Sequence, residues 1–484
     1  MFTILGHAQR GGGPGAYDRW RATVLGCAAG DEVVAMEPGS ETVIIAGRHD
    51  RIRRLPMMEQ IAATRAVKDL VAAQDYLGAI QARGASFGRM LELFETMSTP
   101  PAEPATEAGS TPSASDRPKR VAIIHAGGLA PGMNTAARAA VRLGIDHDFT
   151  MLGVYGGFPG LLDGDVRELT WADVEGWVGD GGAQLGTRRE VPTIEQLYAL
   201  GRAIELHEID ALLVIGGYNA YLSAYRLVTE RDRYPAFQIP IVCVPASIDN
   251  NLPGSELSIG TDTALNNAVV ALDSIKLSAA ASHRCFVAEV MGRKCGYLSL
   301  MSGLATGAEK VYLNEEGITL AGLAADSERM VESFRSGRSL YLVIRNERAS
   351  VNYTTDVLAH IFAEEGKGLY DVREAILGHQ QQGGSPTAFD RIMATKLVAH
   401  SLELLACALK RGEPTASYVG LMGGKVSDQP LDRMNDDLDR DHRRPRHQWW
   451  LGLRPAVGLV SQDIGTLTLQ DVPDFGEAVD DAAS

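Results

Sequence analysis

The hydrophobic pattern of residues 119–460 alternates short apolar runs with longer amphipathic segments. Five apolar runs rich in β-branched residues predict buried strands. These runs are RVAIIHA (120–126), DALLVIGG (210–217), IPIVCVPA (239–246), HRCFVAEV (283–290) and SLYLVIR (339–345). The helical patterns NTAARAAVRLGI and AYLSAYRLV follow the first two runs. The alternation predicts an α/β fold with open parallel sheets and flanking helices, in which ligands bind beyond the carboxyl ends of the strands.

A segment without any such pattern divides the chain. Residues 99–118 read TPPAEPATEAGSTPSASDRP, which offers too little apolar surface to offset the entropy of ordering it. We therefore predict a flexible linker between a short first part, residues 1–98, and a long second part, residues 119–470. An acidic tail, residues 471–484, follows.

The two parts share one segment. Residues 5–19 read LGHAQRGGGPGAYDR and residues 377–391 read LGHQQQGGSPTAFDR, with ten of the fifteen positions identical at an offset of 372. Two unrelated glycine turns would not share so many positions, so we interpret the match as an internal duplication. About 250 residues of the second part precede the later copy, whereas four residues precede the earlier one. Residues 1–98 are accordingly interpreted as the C-terminal remnant of a first half.

Composition limits the partners and the compartment. A net charge of −15 argues against nucleic acid or an anionic membrane surface as a partner. The sequence has no signal-peptide pattern and no run of about 18 apolar residues, so we expect no membrane span. The five cysteines are scattered and contain no CxxC pair, which predicts neither a zinc site nor a disulfide framework. A reducing cytoplasm is the expected location.

Glycine-rich and polar loops follow the predicted strands. The loop GGLAPGMN (127–134) lies between a strand and a helix, where glycine lets the backbone approach a phosphate. The loop GGAQLGTRR (181–189) adds arginine, whose guanidinium suits phosphate oxygens. Asp249 in SIDNN (247–251) follows a strand, where a carboxylate can act as a general base toward a hydroxyl. Taken alone, each loop is equally consistent with a packing turn, a surface arginine pair or an Asx turn.

Other polar groups stand at or near predicted strands. They include MGR (291–293), Glu347, Arg373 and His379, and each taken singly is more often structural than functional. The glycine loops do not form a GxGxxG pattern with a downstream acidic residue, so a dinucleotide-binding dehydrogenase is disfavoured.

The order and spacing of these motifs resemble those of 6-phosphofructokinases. GG-x-APGMN, GG-x-x-LGT-x-R, IGG, P-x-x-IDNN, EVMGR-x-CGY and LGH-x-Q-x-GGSP occur in the order of that family. NNLPGSELSIGTDTALN, NYTTD, EEGKG and HQWWLGLRP resemble the second half of its duplicated, eukaryotic-type members. The resemblance covers residues 119–460 and extends to residues 1–98. It implies the phosphofructokinase fold, with two interleaved α/β lobes in the second half.

The resemblance also implies a function. Such enzymes are allosteric glycolytic kinases that transfer a phosphoryl group from ATP, with Mg²⁺, to fructose 6-phosphate, giving fructose 1,6-bisphosphate, and they are homo-oligomers. Asp249 matches the catalytic base, and His7 and Arg10 match the sugar site in the first-half remnant. Because these sites borrow residues from a neighbouring unit, Arg284 and Arg373 are expected to serve a partner. The sugar-phosphate positions implied in the second part are Arg189, Ser247, Asn250, Arg284, Met291, Gly292, Arg293, Glu347, Arg373, His379 and Arg443.

The nucleotide side departs from the pattern of catalytic halves. Leu129 replaces the aspartate of GGDAPG, Tyr218 replaces the aspartate of GGDGS, and Gln382 replaces the arginine of QRGG. Tyr218 offers no anionic oxygen for Mg²⁺, which prefers carboxylate and phosphate ligands. Gly128 and Gly217 therefore mark a degenerate nucleotide loop, and we expect no metal ligands there.

Three hypotheses follow. The favoured one is a regulatory half that binds fructose 6-phosphate or fructose 2,6-bisphosphate, although a retained Asp249 is unfavourable beside a bisphosphate. The second is an active kinase that uses Asp249 as its base with an unusual nucleotide loop; the lysine and aspartate signature of pyrophosphate-dependent variants is not evident. The third is an inactive truncation whose residues 1–98 expose apolar surface.

Overall fold

The computed structural model describes residues 4–48, 51–101 and 117–461. Most of the predicted linker and the whole predicted acidic tail lie outside these residues. The helices are α1 Ala16–Ala35, α2 Met57–Ala72, α3 Tyr76–Ala82, α4 Ala85–Ser98, α5 Met133–Asp146, α6 Gly157–Leu162, α7 Leu197–Leu206, α8 Tyr218–Thr229, α9 Thr261–Ala280, α10 Tyr297–Thr306, α11 Leu320–Arg335, α12 Thr355–Gly366, α13 Ala388–Arg411, α14 Met434–Asp437 and α15 Arg454–Ser461.

The strands confirm the predicted order of buried segments. They are β1 Val43–Arg48, β2 Arg51–Pro56, β3 Arg120–Ala126, β4 Thr150–Val154, β5 Val166–Glu168, β6 Ala211–Gly216, β7 Ile241–Pro245, β8 Arg284–Val290, β9 Lys310–Tyr312, β10 Leu340–Asn346, β11 Asp371–Ile376, β12 Ala416–Met422, β13 Lys425–Pro430, β14 Leu438–Asp439 and β15 Arg444–Pro445. The five predicted strand runs correspond to β3, β6, β7, β8 and β10.

The chain forms two compact units that do not follow its linear order. Unit 1 takes its described residues from Met1–Met36, Leu265–Gly378 and Trp450–Ser484, and unit 2 takes its own from Glu37–Ala264 and His379–Trp449. Residues 119–470 thus contribute to both units. The first part is divided between residues 36 and 37, so the sequence boundary at residue 98 is not a unit boundary.

Unit 2 is built on a seven-stranded sheet of order β13-β12-β7-β6-β3-β4-β5. The five inner strands run parallel, whereas β5 and β13 pair antiparallel at the two edges. Every residue of β6 is buried because α6, α7 and α8 cover one face of the sheet and α5 and α13 the other. The predicted α/β class is confirmed, with antiparallel edges that periodicity alone did not indicate.

Unit 1 is built on a four-stranded parallel sheet of order β11-β8-β10-β9. Helices α11 and α12 pack on one face through a core that includes Phe334 and Phe362. Helix α10 packs on the sheet and contacts α1 and α15. The stripe Ala16, Trp20, Val24 on α1 is buried at a spacing of four residues, as an amphipathic helix requires.

The local structure of the repeated segment also repeats. Gly6–Arg10 and Gly378–Gln382 both form 3-10 turns, and α1 and α13 begin at Ala16 and Ala388, again 372 residues apart. Duplication of whole halves stays a prediction.

The described parts of residues 1–98 carry a large share of the exposed apolar surface. Thirteen of the twenty-five large apolar side chains exposed among the described residues lie between Ile4 and Phe94. Val33 and Leu77 are 71% and 74% exposed. Such a concentration is typical of a surface that contacts another polypeptide.

Helix α13 is long and apolar enough to cross a membrane by length and composition, but more than half of its apolar window is buried. It packs on α5 and β7 in unit 2. We therefore interpret α13 as a core helix.

Two helix starts in unit 2 cap each other. The Asp390 carboxylate, in the first turn of α13, accepts from the Gly260 and Thr263 amides at 2.9 and 2.8 Å and from the Thr263 hydroxyl at 2.5 Å. Thr387 caps α13 in turn and donates its hydroxyl to Asp262 at 2.6 Å. Because Asp390 is fully buried, this exchange fixes the start of α9 against α13.

The buried cap predicts a dependence of stability on pH. Burial, together with Asp262, raises the pKa of Asp390 to about 7. A carboxyl whose pKa is higher in the folded state loses its stabilising contribution as the pH rises from about 4 to about 7, at up to about 1.4 kcal/mol per pH unit. We expect the stability advantage of the wild type over Asp390→Asn to shrink between pH 5 and 7 and then level off, as measured by urea unfolding. If the stability advantage of the wild type were constant from pH 5 to 8, the three hydrogen-bond donors would already keep Asp390 ionised at pH 5.

Candidate sugar-phosphate site

Three loops meet at one edge of the unit 2 sheet, beyond the carboxyl ends of β3, β6 and β7. The Gly217 amide donates to the Ala126 carbonyl at 3.3 Å, and the Gly127 amide donates to the Arg188 carbonyl at 2.8 Å. Gly127 has a φ of +101°, and a Cβ atom there would lie 3.2 Å from the Gly217 nitrogen. Only glycine suits this close approach. The predicted loop positions therefore share one edge, as the strand-end rule indicates.

The first glycine loop is covered by side chains of this chain. A Cβ atom at Gly128 would lie 3.5 Å from Nη2 of Arg189 and 3.9 Å from Nε2 of Gln382. Gln382 Nε2 donates to the Leu129 carbonyl at 3.2 Å. The guanidinium and the amide thus lie where an open glycine loop would leave room for a phosphate.

The second glycine loop of this edge, at Gly216 and Gly217 where β6 ends, is covered in a similar way. The guanidinium carbon of Arg443 lies 5.3 Å from the centre of the Tyr218 ring, a cation-π contact. Arg443 adopts a left-handed conformation with a φ of +55°, and its carbonyl accepts from Asn251 Nδ2 at 3.1 Å. Asn219 Nδ2 donates to the Arg189 carbonyl. Asn219 and Asn251 were not among the residues predicted from sequence, although both stand in the motifs that were.

The SIDNN loop carries the predicted base. The Asp249 amide donates to Ser247 Oγ at 3.3 Å, and Ser247 Oγ donates to Asn251 Oδ1 at 3.1 Å. A Cβ atom at Gly217 would lie 3.8 Å from Ser247 Oγ. Ser247 therefore lies beside the second glycine loop, and Asp249 belongs to the same edge.

Asn250 supports this loop from within. Its Oδ1 accepts from the Ser258 amide at 2.9 Å and its Nδ2 donates to the Glu256 carbonyl at 2.8 Å. Its φ is +51°, a left-handed conformation that asparagine tolerates better than most residues. Both ends of this amide bind the loop that carries Asp249, and the sugar contact implied by the resemblance stays a prediction.

His379 is exposed in the 3-10 turn Gly378–Gln382, the turn whose last residue reaches Leu129. In unit 1, the turn Gly6–Arg10 holds His7 and Arg10, which are also exposed.

Four predicted residues of unit 1 lie at the carboxyl ends of β8 and β10. The Arg293 amide donates to Glu347 Oε1 at 2.8 Å, which joins the turn after β8 to the residue after β10. Gly292 has a φ of +128°, and a Cβ atom there would lie 2.5 Å from the Cys295 carbonyl. The turn Met291–Arg293 thus requires glycine at its centre.

Arg284 and Arg373 lie apart from this group. Arg284 is the first residue of β8, so along a parallel strand it is about 23 Å from Met291. Arg284 Nε and Arg373 Nη2 lie 3.6 and 3.9 Å from the Asp371 carboxylate. The structure therefore separates the two arginines from the turn Met291–Arg293 of the same unit.

The charge near the unit 2 edge comes from arginine rather than histidine. His125 is buried on β3, and burial lowers its pKa to about 4, so it is neutral at pH 7. Among the described residues, no three His, Cys, Asp or Glu side chains are grouped so as to hold a metal ion. Arg189 and Arg443 supply fixed positive charge, which suits an anionic ligand.

The support given by Asn250 can be tested by its removal. Asn250→Ala loses both hydrogen bonds and puts alanine into a left-handed conformation, so we expect about 2–4 kcal/mol less unfolding free energy. Urea unfolding measures this loss, with the exposed Asn352→Ala as the matched control. A loss no larger than that of the control would contradict the assigned role.

The chain is similar to proteins of known activity. The family model described as Phosphofructokinase matches residues 120–405. The chain is 40% identical over 474 residues to an ATP-dependent 6-phosphofructokinase of Dictyostelium discoideum, covering 97% of this chain and 55% of that protein. It is 38% identical over 488 residues to the platelet type ATP-dependent 6-phosphofructokinase of Homo sapiens, covering 98% and 60%.

Solved structures give the same result. The chain superposes on Pichia pastoris phosphofructokinase in the T-state with a TM-score of 0.88 at 32% identity, covering 96% of this chain and 54% of that one. For Saccharomyces cerevisiae phosphofructokinase the TM-score is 0.88 at 33% identity, with 95% and 62% covered. The chain thus spans little more than half the length of these relatives.

Proposed function

Because the chain belongs to the phosphofructokinase family, we propose that it binds a phosphorylated fructose at its strand ends and acts as the regulatory body of a glycolytic 6-phosphofructokinase. The observation that carries this proposal is the cover of Arg189, Gln382 and Arg443 side chains over the two glycine loops of unit 2. These side chains place two guanidinium groups beside the glycine loops, and they occupy the space in which nucleotide phosphates would bind.

The residues present do not fit Mg²⁺-ATP. Such a ligand needs room for phosphates above a glycine loop and a carboxylate for the metal. Arg189 and Gln382 lie beside Gly128, and a phenol, Tyr218, stands at the position of the carboxylate. We therefore derive no phosphoryl-transfer step at this edge. The relatives are ATP-dependent 6-phosphofructokinases. We propose this kinase activity for the whole assembly to which the present chain contributes.

A fructose phosphate fits the remaining groups. Guanidinium forks bind phosphate oxygens, and the Ser247 hydroxyl and the Asp249 carboxylate bind sugar hydroxyls. Unit 1 has polar groups of its own, Glu347 and the turn Met291–Arg293, at the carboxyl ends of β8 and β10. Fructose 6-phosphate and fructose 2,6-bisphosphate share this chemistry. Compared with fructose 6-phosphate, the bisphosphate needs more arginine contacts and is repelled more strongly by Asp249.

The separated arginines support an oligomer. Arg284 and Arg373 share one strand-start region of unit 1 and suit a phosphate held by a neighbouring molecule. The exposed apolar side chains between Ile4 and Phe94 supply surface for such an association. We propose a homo-oligomer in the cytoplasm, where the five free cysteines stay reduced.

A second candidate is a kinase in its own right, with Asp249 as the base. It is favoured by the retained carboxylate, whose loop is held beside the second glycine loop through Ser247. It requires the covering side chains to move away from the nucleotide side.

Titration calorimetry with fructose 6-phosphate and fructose 2,6-bisphosphate tests the proposal. We expect saturable binding of at least one of them. We also expect Arg443→Ala to weaken that binding about tenfold or more, since a charge-assisted contact is worth about 1.5–3 kcal/mol. The matched control is Arg440→Ala, an exposed arginine three residues away, which should bind as the wild type does. Silence of the wild type toward both sugars, or equal losses in the two variants, would contradict the proposal.

A further inference from the structure

One buried arginine in unit 1 has no place in the set of sugar-contacting residues. The Arg345 side chain, in β10, is 2% exposed. Its neighbour in the parallel register with β8 is Glu289, and the two side chains form an ion pair at 2.7 Å. Desolvating a guanidinium is costly, so such a group is retained only where its hydrogen bonds are well satisfied.

The guanidinium of Arg345 donates hydrogen bonds to three carbonyls of the loop between β10 and α12. Its Nη1 donates to the Glu347 carbonyl at 3.3 Å, its Nη2 to the Ser350 carbonyl at 2.7 Å, and its Nε to the Tyr353 carbonyl at 3.1 Å. The loop therefore wraps around a single planar donor group. Only arginine offers this fork, because the lysine ammonium is a point donor.

The ion pair of Arg345 with Glu289, which we call the clamp, is also hydrogen-bonded to a helix. Glu289 Oε2, which accepts from Arg345, also accepts from the hydroxyl of Thr355, the first residue of α12. The clamp thus joins β8, β10 and the start of α12.

The clamped loop begins with Glu347. The Glu347 carboxylate accepts from the Arg293 amide at 2.8 Å, and Arg293 has a left-handed φ of +52°. The neighbouring Asn346 donates from Nδ2 to the Cys295 carbonyl at 3.2 Å. Any displacement of residue 347 is therefore transmitted to the turn Met291–Arg293.

We infer that Arg345 is a positioning residue for the predicted sugar-phosphate contacts of unit 1, acting through Glu347 on the Met291–Arg293 turn. This inference rests on the proposed function for its consequence in binding. Its geometric part, the hold of Arg345 on the turn, stands independently of any ligand.

The first test replaces Arg345 with lysine, which keeps the charge beside Glu289 but loses the fork. We expect faster amide hydrogen exchange in peptides that cover residues 291–295 and 347–353. We also expect fructose 6-phosphate to bind about tenfold more weakly or worse, since small displacements of contacting groups are costly. The matched control is Arg454→Lys, because Arg454 also joins a carboxylate, Glu316, to a carbonyl, that of Val311, and should leave both measurements unchanged.

A double-mutant cycle separates positioning from a general loss of stability. If Arg345 acts through Glu347, Arg345→Lys combined with Glu347→Ala should weaken binding no more than Glu347→Ala does alone. Losses that add would overturn the inference. Glu289→Gln weakens the same ion pair from the side of the carboxylate, so it should reproduce the faster amide hydrogen exchange. This variant replaces Arg345→Lys in the test if Arg345→Lys does not fold.

The outcomes distinguish the two proposals. If the wild type binds neither fructose 6-phosphate nor fructose 2,6-bisphosphate, the proposed function fails, and the exchange measurement alone decides the role of Arg345. Unchanged amide hydrogen exchange at residues 291–295 in both Arg345→Lys and Glu289→Gln would overturn the positioning role, whatever the effect on sugar binding.

Discussion

The structure depends on one constraint of parallel sheets, which is that all the strands deliver their carboxyl ends to the same edge. The sheets of both units are covered by helices on their two faces, so the loops beyond that edge are the part left to bind ligands. Those loops carry many backbone polar groups, and buried groups must be paired. Asn250 in unit 2 and Arg345 in unit 1 meet this need with side chains that bind several groups at once.

If unit 2 binds a sugar phosphate in place of a nucleotide, as we propose, side chains alone account for the change. In unit 2, Gln382 binds the Leu129 carbonyl and Arg443 lies over Tyr218, so the glycine loops are paired and covered from within. A nucleotide would have to displace the cover, whereas a sugar phosphate could use its arginines.

The sequence predicted the strand runs and the strand-end loops well, because buried parallel strands form continuous apolar runs and ligands follow their ends. It did not predict the antiparallel edges, since β5 is only three residues long and β13 is largely polar. It could not predict the clamp of Arg345, because the three carbonyls that the side chain binds are recognised only once the loop has been folded. The division of residues 1–98 between units also depends on tertiary packing that no local pattern records. Glu347 and Arg373 were recognised as polar groups near predicted strands, and the family resemblance gave them a sugar-phosphate role. The register of β8 with β11 separates Arg373 from Met291.

We propose that unit 2 has kept an anion site and lost the nucleotide site. Calorimetric titration of the purified protein with Mg²⁺-ATP, in a range that detects millimolar dissociation constants, tests it most directly. We expect no saturable heat from a preparation that binds fructose 6-phosphate or fructose 2,6-bisphosphate. Saturable binding of Mg²⁺-ATP would contradict it, and would favour a kinase in which the cover of Arg189, Gln382 and Arg443 opens and Asp249 acts as the base.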